Sequence, residues 1–129
     1  MIVYENSKVK IEYDQDKQRI TQTWTGFAPS VDFRNAIDAT TKFMESNTVK
    51  TIISDTINQE VVKREDTEYA RLAMPKMFQH GLEAMAFVLP ENIFTQISLK
   101  KFADKGATES VQYFKSIAEA VNWLDKNYA

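Results

Sequence analysis

Asp55 is the acidic residue whose position most suggests chemistry, in the segment "TIISDTINQEVVKRED" at residues 51–66. The apolar Ile52 and Ile53 predict a short buried strand, and we expect Asp55 where that strand runs out into a loop. The carboxyl ends of strands are where ligands and reacting groups collect in α/β proteins. A carboxylate there could accept a phosphoryl group, but the Mg²⁺ ion that this reaction uses needs further acids. A structural Asp that caps the following loop is the simpler interpretation.

The rest of the sequence offers little that could complete a catalytic or metal site. His80 is the single histidine, and its position beside Gly81 suits an exposed residue at the end of a helix. The chain has no cysteine, and its three glycines lie too far apart for a phosphate-binding loop. No serine stands in a Gly-x-Ser-x-Gly segment. We therefore predict no catalytic residue, no metal and no cofactor, and an enzyme is the least favoured class.

Aromatic and methionine side chains are better candidates for binding. The segment "TWTGFAPSVDF" places Trp24, Phe27 and Phe33 around a turn, where they could form an apolar lip or pack against the first helix. Met77 and Phe94 belong to two later helices that carry more Met and Phe than a two-layer core needs. These residues could line a ligand pocket or a homodimer contact, and core packing is the alternative. The candidate binding surface comprises Trp24, Phe27, Asp55, Thr56, Met77 and Phe94.

Length and composition indicate a soluble globular chain. The 129 residues fit one domain, 1–129, and the net charge of −2 comes with no basic stripe that would suggest nucleic acid. No apolar run approaches the roughly 18 residues that span a bilayer, so no integral membrane segment is expected. The N-terminal "MIVYENSKVKIEYD" lacks a basic segment followed by an apolar run and is not a signal peptide. A cytoplasmic location is the expectation.

Hydrophobic periodicity predicts an α/β fold with the order ββαβαβαβα. Alternating apolar residues at 9–14 and 19–26 predict a β-hairpin, and the unbroken apolar run at 84–89 predicts a central parallel strand. Strands that alternate with helices are typical of parallel sheets with right-handed crossovers. The predicted fold is a five-stranded, mostly parallel sheet with an antiparallel N-terminal edge strand and four helices. The predicted strands are 9–14, 19–26, 50–56, 84–89 and 110–116, and the predicted helices begin at residues 30, 63, 92 and 116.

The predicted helices have recognisable ends and apolar faces. The first begins with Ser30 as N-cap, the second is kinked or restarted at Pro75 and stops at Gly81, and the last begins with a capping box of Ser116 and Glu119. The inward faces predicted from helical spacing are Phe33, Ala36, Ile37, Thr40 and Met44 in the first helix, Tyr69, Leu72, Ala73 and Met77 in the second, and Ile117, Ala120, Val121, Leu124 and Tyr128 in the last.

This order and three segments, "VDFRNAID", "GLEAMAFVLP" and "YFKSIAEAVNWL", resemble SpoIIAA-like proteins, relatives of the STAS domain (sulphate transporter and anti-sigma factor antagonist). The closer likeness is to small bacterial proteins labelled STAS/CRAL-TRIO-like, most of them functionally uncharacterised. The resemblance covers nearly the whole chain. Because the matching segments are packing motifs, it implies the fold more than the function.

The resemblance also directs attention to a phosphorylation site. In STAS switch proteins a Ser or Thr after the strand that matches "IISDT" is phosphorylated, within an Asp-Ser-Ser-Gly-like loop. This chain lacks the Ser-Ser-Gly, and the hydroxyl groups that follow Asp55 are those of Thr56 and Thr67. Phosphate on Thr67 would be repelled by the acids on both sides of it.

Two functions of different classes follow. The resemblance to STAS domains and the absence of a catalytic constellation favour a non-catalytic regulatory or scaffolding module of unknown pathway, which binds a protein partner or itself. The CRAL-TRIO likeness and the Met- and Phe-rich helices favour a carrier of a small apolar or lipid-like ligand, held between the second and third helices and the sheet.

Overall fold

The structure is a computed structural model that describes residues 1–89 and 110–128. The predicted helix at 92–106 lies outside the described residues. The elements of the described part are the strands β1 (Ile2–Glu5), β2 (Val9–Asp14), β3 (Arg19–Gly26), β4 (Thr51–Gln59), β5 (Ala84–Val88) and β6 (Val111–Phe114), and the helices α1 (Ser30–Ser46), α2 (Arg64–Gln79) and α3 (Ile117–Tyr128).

The six strands form one mixed sheet in the order β1-β2-β3-β4-β5-β6. The first three strands pair antiparallel, and β3 to β6 pair parallel, so the predicted α/β class is confirmed. The prediction of five strands with 9–14 at the edge is wrong, because β1 pairs outside β2 and forms that edge. The four residues of β1 are half-buried or exposed and show no alternating pattern, so this strand depends on its pairing with β2.

Strand β4 continues beyond the predicted end at residue 56 and reaches Gln59. It does so because β3 offers backbone partners as far as Gly26, which lies opposite Gln59. The pairing register shifts on the way: Thr23 lies opposite Asp55, but Thr25 lies opposite Asn58. This irregularity places one extra residue in β4 and has the form of a β-bulge.

Helices α1 and α2 pack on one face of the sheet. The predicted inner face of α1 is confirmed, since Phe33, Ala36, Ile37, Thr40 and Met44 are all buried. The prediction for α2 is partly wrong, because Leu72 is 59% exposed. The buried residues of α2 are Asp66, Ala70, Met74 and Met77.

The ends of α1 and α2 differ in part from the prediction. Pro29, and not Ser30, is the N-cap of α1, and the Ser30 hydroxyl donates instead to Asp66 Oδ2 at 2.8 Å. Helix α2 continues through Pro75 and ends before Gly81, whose φ of 104° is the left-handed conformation that glycine adopts readily. His80 at this end is exposed, as predicted.

Helix α3 packs on the opposite face. Its Ala120 and Leu124 are buried against Ile53 of β4 and the apolar residues of β5, whereas Ile117 remains partly exposed. The capping box forms with one change, because Glu119 accepts from the backbone N–H of Lys115. In the two described stretches, no helix combines the length and apolar character that crossing a membrane requires.

Candidate functional site

Asp55 lies within β4 and not at its end. Thr23 of β3 and Val88 of β5 lie opposite it, and its Oδ1 accepts the backbone N–H of Ile57 at 3.1 Å. That N–H belongs to the irregular part of the strand, where the regular ladder is interrupted. The expectation of a strand-end carboxylate is therefore wrong, and the observed contact is a hydrogen bond within the strand. Across residues 1–89 and 110–128, no group of three or more acidic or histidine side chains could hold a metal.

Thr56 and Thr67 both have occupied hydroxyl groups. Thr56 is buried, and its hydroxyl donates to the carbonyl of Val88 at 2.6 Å, at the point where β5 ends. The Thr67 hydroxyl donates to the carbonyl of Lys63, one helical turn earlier, at 3.2 Å. Phosphorylation of Thr56 would require this part of the sheet to open, because its oxygen is enclosed by protein.

The aromatic residues of the "TWTGFAPSVDF" segment take different places. Trp24 and Phe33 are buried, with ring centroids 5.1 Å apart, so they pack in the core. Phe27 stays at the surface, where the ammonium group of Lys63 lies 5.7 Å from its ring centroid. Met77 is buried and Phe94 lies outside the described residues. The described candidates therefore divide between the interior and the surface and do not form one surface.

Trp24, Thr56 and Met77 line a cavity between α1, α2 and the sheet. Its volume is about 40 Å³. The walls are mostly apolar, and none of the described residues that line them carries a charge. The lining residues are Gln22, Trp24, Phe33, Ile37, Ser54, Thr56, Gln59, Val62, Thr67, Ala70, Met74, Met77, Met85 and Phe87.

The sheet side of this cavity is unexpectedly polar. Gln22 of β3 and Ser54 of β4 lie opposite each other, and Gln22 donates through Nε2 to Thr40 Oγ1 at 2.9 Å. Gln59 is only 5% exposed, and its Oε1 has no hydrogen-bond partner among the described residues. The sequence carried a signal for Gln22, which occupies an inward position between Ile20 and Trp24. It carried none for Gln59, because the extension of β4 was not predicted.

The carboxyl ends of β3 and β4 carry a second feature, an exposed apolar rim formed by Phe27, Val31, Ile57 and Val61. Their exposed fractions are 38%, 69%, 38% and 45%. The pairing of β3 with β4 holds the segments that carry Phe27 and Val61 together, because Glu60 N–H donates to the Gly26 carbonyl at 3.0 Å. Sequence reasoning found Phe27 and missed the other three, which are isolated apolar residues in polar segments.

A polar seam joins α1 to α2. The buried carboxylate of Asp66 accepts from the Ser30 hydroxyl and, at 3.0 Å, from Arg34 Nε. Farther along, Tyr69 donates to Asp38, and this hydrogen bond raises the pKa of the Tyr69 phenol. These side-chain hydrogen bonds connect α1 to α2.

One mixed sheet with helices on both faces defines an α/β fold, and similarity to a solved structure identifies it as the SpoIIAA-like fold. The solved structure of the anti-sigma factor antagonist SpoIIAA in its unphosphorylated form matches with a TM-score of 0.62 at 12% sequence identity. The match covers 91% of this chain and 97% of that one. No protein family model matches the sequence, and no curated protein shows significant sequence similarity to it.

Proposed function

We propose that this chain is a non-catalytic regulatory or scaffolding module that binds a protein partner or a second copy of itself through the apolar rim. The observation that carries the proposal is the exposure of four apolar residues, Phe27, Val31, Ile57 and Val61, on segments in or next to two adjacent parallel strands. Single exposed apolar residues are ordinary, but several on neighbouring segments are typical of interaction sites.

The fold supports the same class of function. SpoIIAA, a protein of similar fold, is described as an anti-sigma factor antagonist, and hence acts on another protein. The structural role of Asp55 and the occupied hydroxyls of Thr56 and Thr67 are in keeping with a module that performs no chemistry.

The test compares a rim variant with a matched control in two assays. The double variant Phe27→Ser/Val61→Ser removes two apolar side chains from the rim. Leu72→Ser removes an exposed apolar side chain from the outer face of α2. Each protein, with wild type, is used for quantitative affinity capture from extracts of its own cell and for sedimentation analysis of self-association.

We expect a specific protein, or the second copy, to be bound by wild type and by Leu72→Ser and to be lost with the rim variant. Circular dichroism checks that all three proteins are folded. Equal binding by wild type and the rim variant would show that the partner uses another surface. Loss with both variants alike would point to a non-specific apolar contact.

The cavity favours a second function, a carrier of a small ligand. The cavity lies between the sheet and helices α1 and α2, whereas the predicted pocket lay between the sheet and the second and third helices. The enclosed 40 Å³ has room for about three water molecules, so a lipid-like chain would require the core to open widely. Native mass spectrometry of the protein purified without added ligand tests this function: a reproducible extra mass supports a carrier, and a bare protein contradicts it.

A further inference from the structure

We infer that the cavity between α1, α2 and the sheet is a binding site for a small uncharged molecule with an apolar body and a single hydroxyl group. The inference specifies the ligand class of the carrier function and rests on that function for its biological role. It is independent of the apolar rim.

The walls select an apolar, uncharged body. Trp24, Phe33 and Phe87 supply aromatic surface, and within residues 1–89 and 110–128 the lining contains no charged side chain that could pair with an ionised ligand. Burying an unpaired ion in such surroundings is strongly unfavourable. Ligand pockets commonly have this character, with mainly apolar walls and a few placed polar groups.

Three methionines make the cavity adaptable. Met74 and Met77 approach from α2 and Met85 from β5. Unbranched thioether side chains change rotamer at low cost and accept ligands of varied outline. Because the cavity of about 40 Å³ is smaller than a six-membered ring needs, such a ring would bind only as these methionine side chains move apart.

Gln59 supplies the polar anchor. Its side chain lines the cavity, it is 5% exposed, and its Oε1 accepts no hydrogen bond from the described residues. A buried amide oxygen that accepts no hydrogen bond is unfavourable, so a ligand that donates a hydrogen bond to it gains affinity. A hydroxyl group both donates and accepts, so it can pair with the oxygen or with the nitrogen of the amide.

The test uses phenol and toluene, which have the same size and differ by one hydroxyl group. The chain contains five methionines, and ¹³C-methyl labelling makes each an NMR probe. On titration with phenol we expect the methyl signals of the cavity methionines to shift, and those of Met1 and Met44, which do not line the cavity, to stay. Unmoved cavity signals would overturn the site and indicate that it holds water only.

The role of Gln59 as the polar anchor is tested by the preference for phenol over toluene, measured as the ratio of their affinities. Gln59→Met keeps the side-chain length but removes the amide, and the preference should fall roughly 2- to 10-fold, the range for one neutral hydrogen bond. Gln79→Met, an exposed change at the end of α2, should leave it unaltered. An unchanged preference in Gln59→Met would show that Gln59 does not hold the hydroxyl.

Two further measurements separate the possible failures. If Gln59→Met does not fold, magnetisation transfer from phenol protons to the cavity methyl groups of wild type tests the pose directly, and its absence overturns the inference. Phenol binding together with a bare protein in native mass spectrometry would retain the site and reject the carrier function.

Discussion

At the scale of single residues, the role of Asp55 depends on where its strand ends. If a loop followed Asp55, its carboxylate would be free to bind a ligand or to take part in a reaction. In the structure β4 continues to Gln59, and Asp55 Oδ1 accepts the Ile57 N–H where the pairing with β3 is irregular. This contact uses Asp55 as a hydrogen-bond acceptor.

Variants of Asp55 should therefore distinguish the effect of losing the acceptor oxygen from the effect of losing the negative charge. Asp55→Asn retains an acceptor oxygen and should leave the free energy of unfolding almost unchanged, whereas Asp55→Ala should lower it by about 1 kcal/mol. Urea unfolding followed by circular dichroism measures both. Asn58→Ala, an exposed change three residues along the same strand, is the control. An Asn variant as unstable as the Ala variant would show that the charge matters.

At the scale of elements, the burial of α2 is determined by a charged residue as well as by apolar ones. Asp66 is 1% exposed and bonds to Ser30 and Arg34 of α1, and Ala70, Met74 and Met77 follow it on the buried side. A pattern scored on apolar residues alone omits Asp66 and places Leu72 inside. The buried polar contact thus helps to set which side of the helix faces inward.

Removing the Asp66 carboxylate should weaken the attachment of α2 to α1. We expect Asp66→Ala to lower the free energy of unfolding by about 2 kcal/mol, because a buried acceptor of two hydrogen bonds, one of them from a guanidinium group, is lost. Chemical denaturation measures the change. Glu65→Ala, its exposed neighbour in the same helical turn, should cost less than about 0.5 kcal/mol. Equal effects of the two variants would contradict a role for the seam.

At the scale of the whole molecule, Asp125 of α3 connects the last helix to the start of β3. It accepts from Lys17 Nζ at 3.1 Å and from Arg19 at 2.8 Å, and Arg19 also donates to Thr51. These hydrogen bonds, that of Lys17 first, lower the pKa of the Asp125 carboxyl. Residues more than a hundred positions apart are joined in this way across the sheet.

This contact should make part of the stability depend on pH. A pKa that is lowered in the folded state adds stability at pH values above the ordinary Asp pKa of about 3.9. This stability is lost as the pH falls through the pKa of the folded state. Because Asp125 is 41% exposed, solvent screens the pair, and we expect Asp125→Asn to cost only about 0.5–1 kcal/mol at pH 7.

The measurement is urea unfolding of wild type and Asp125→Asn at pH 7 and at successively lower pH. The difference between the two proteins should shrink below about pH 4, as the carboxyl of wild type gains its proton. Asp16→Asn, in the exposed turn before Lys17, is the control variant. A difference that is constant with pH would show that packing, and not charge, is responsible.

Much of the fold could be predicted from the sequence because its signals are local. The buried face of α1, the buried run of β5 and the capped start of α3 each follow from spacing within a few residues. The resemblance to SpoIIAA-like proteins rested on such segments, and the structural match confirms the fold.

The rest depends on partners that are distant in the chain. Strand β1 exists through its pairing with β2, β4 reaches Gln59 through its pairing with β3, and Asp66 is buried because α1 supplies its hydrogen bonds. The cavity and the apolar rim arise in the same way, from segments that meet only after folding. The sequence by itself therefore determined the elements and the class of fold. The tertiary structure decided which polar groups are paired and which apolar groups stay exposed, because both depend on distances between segments that local periodicity does not encode.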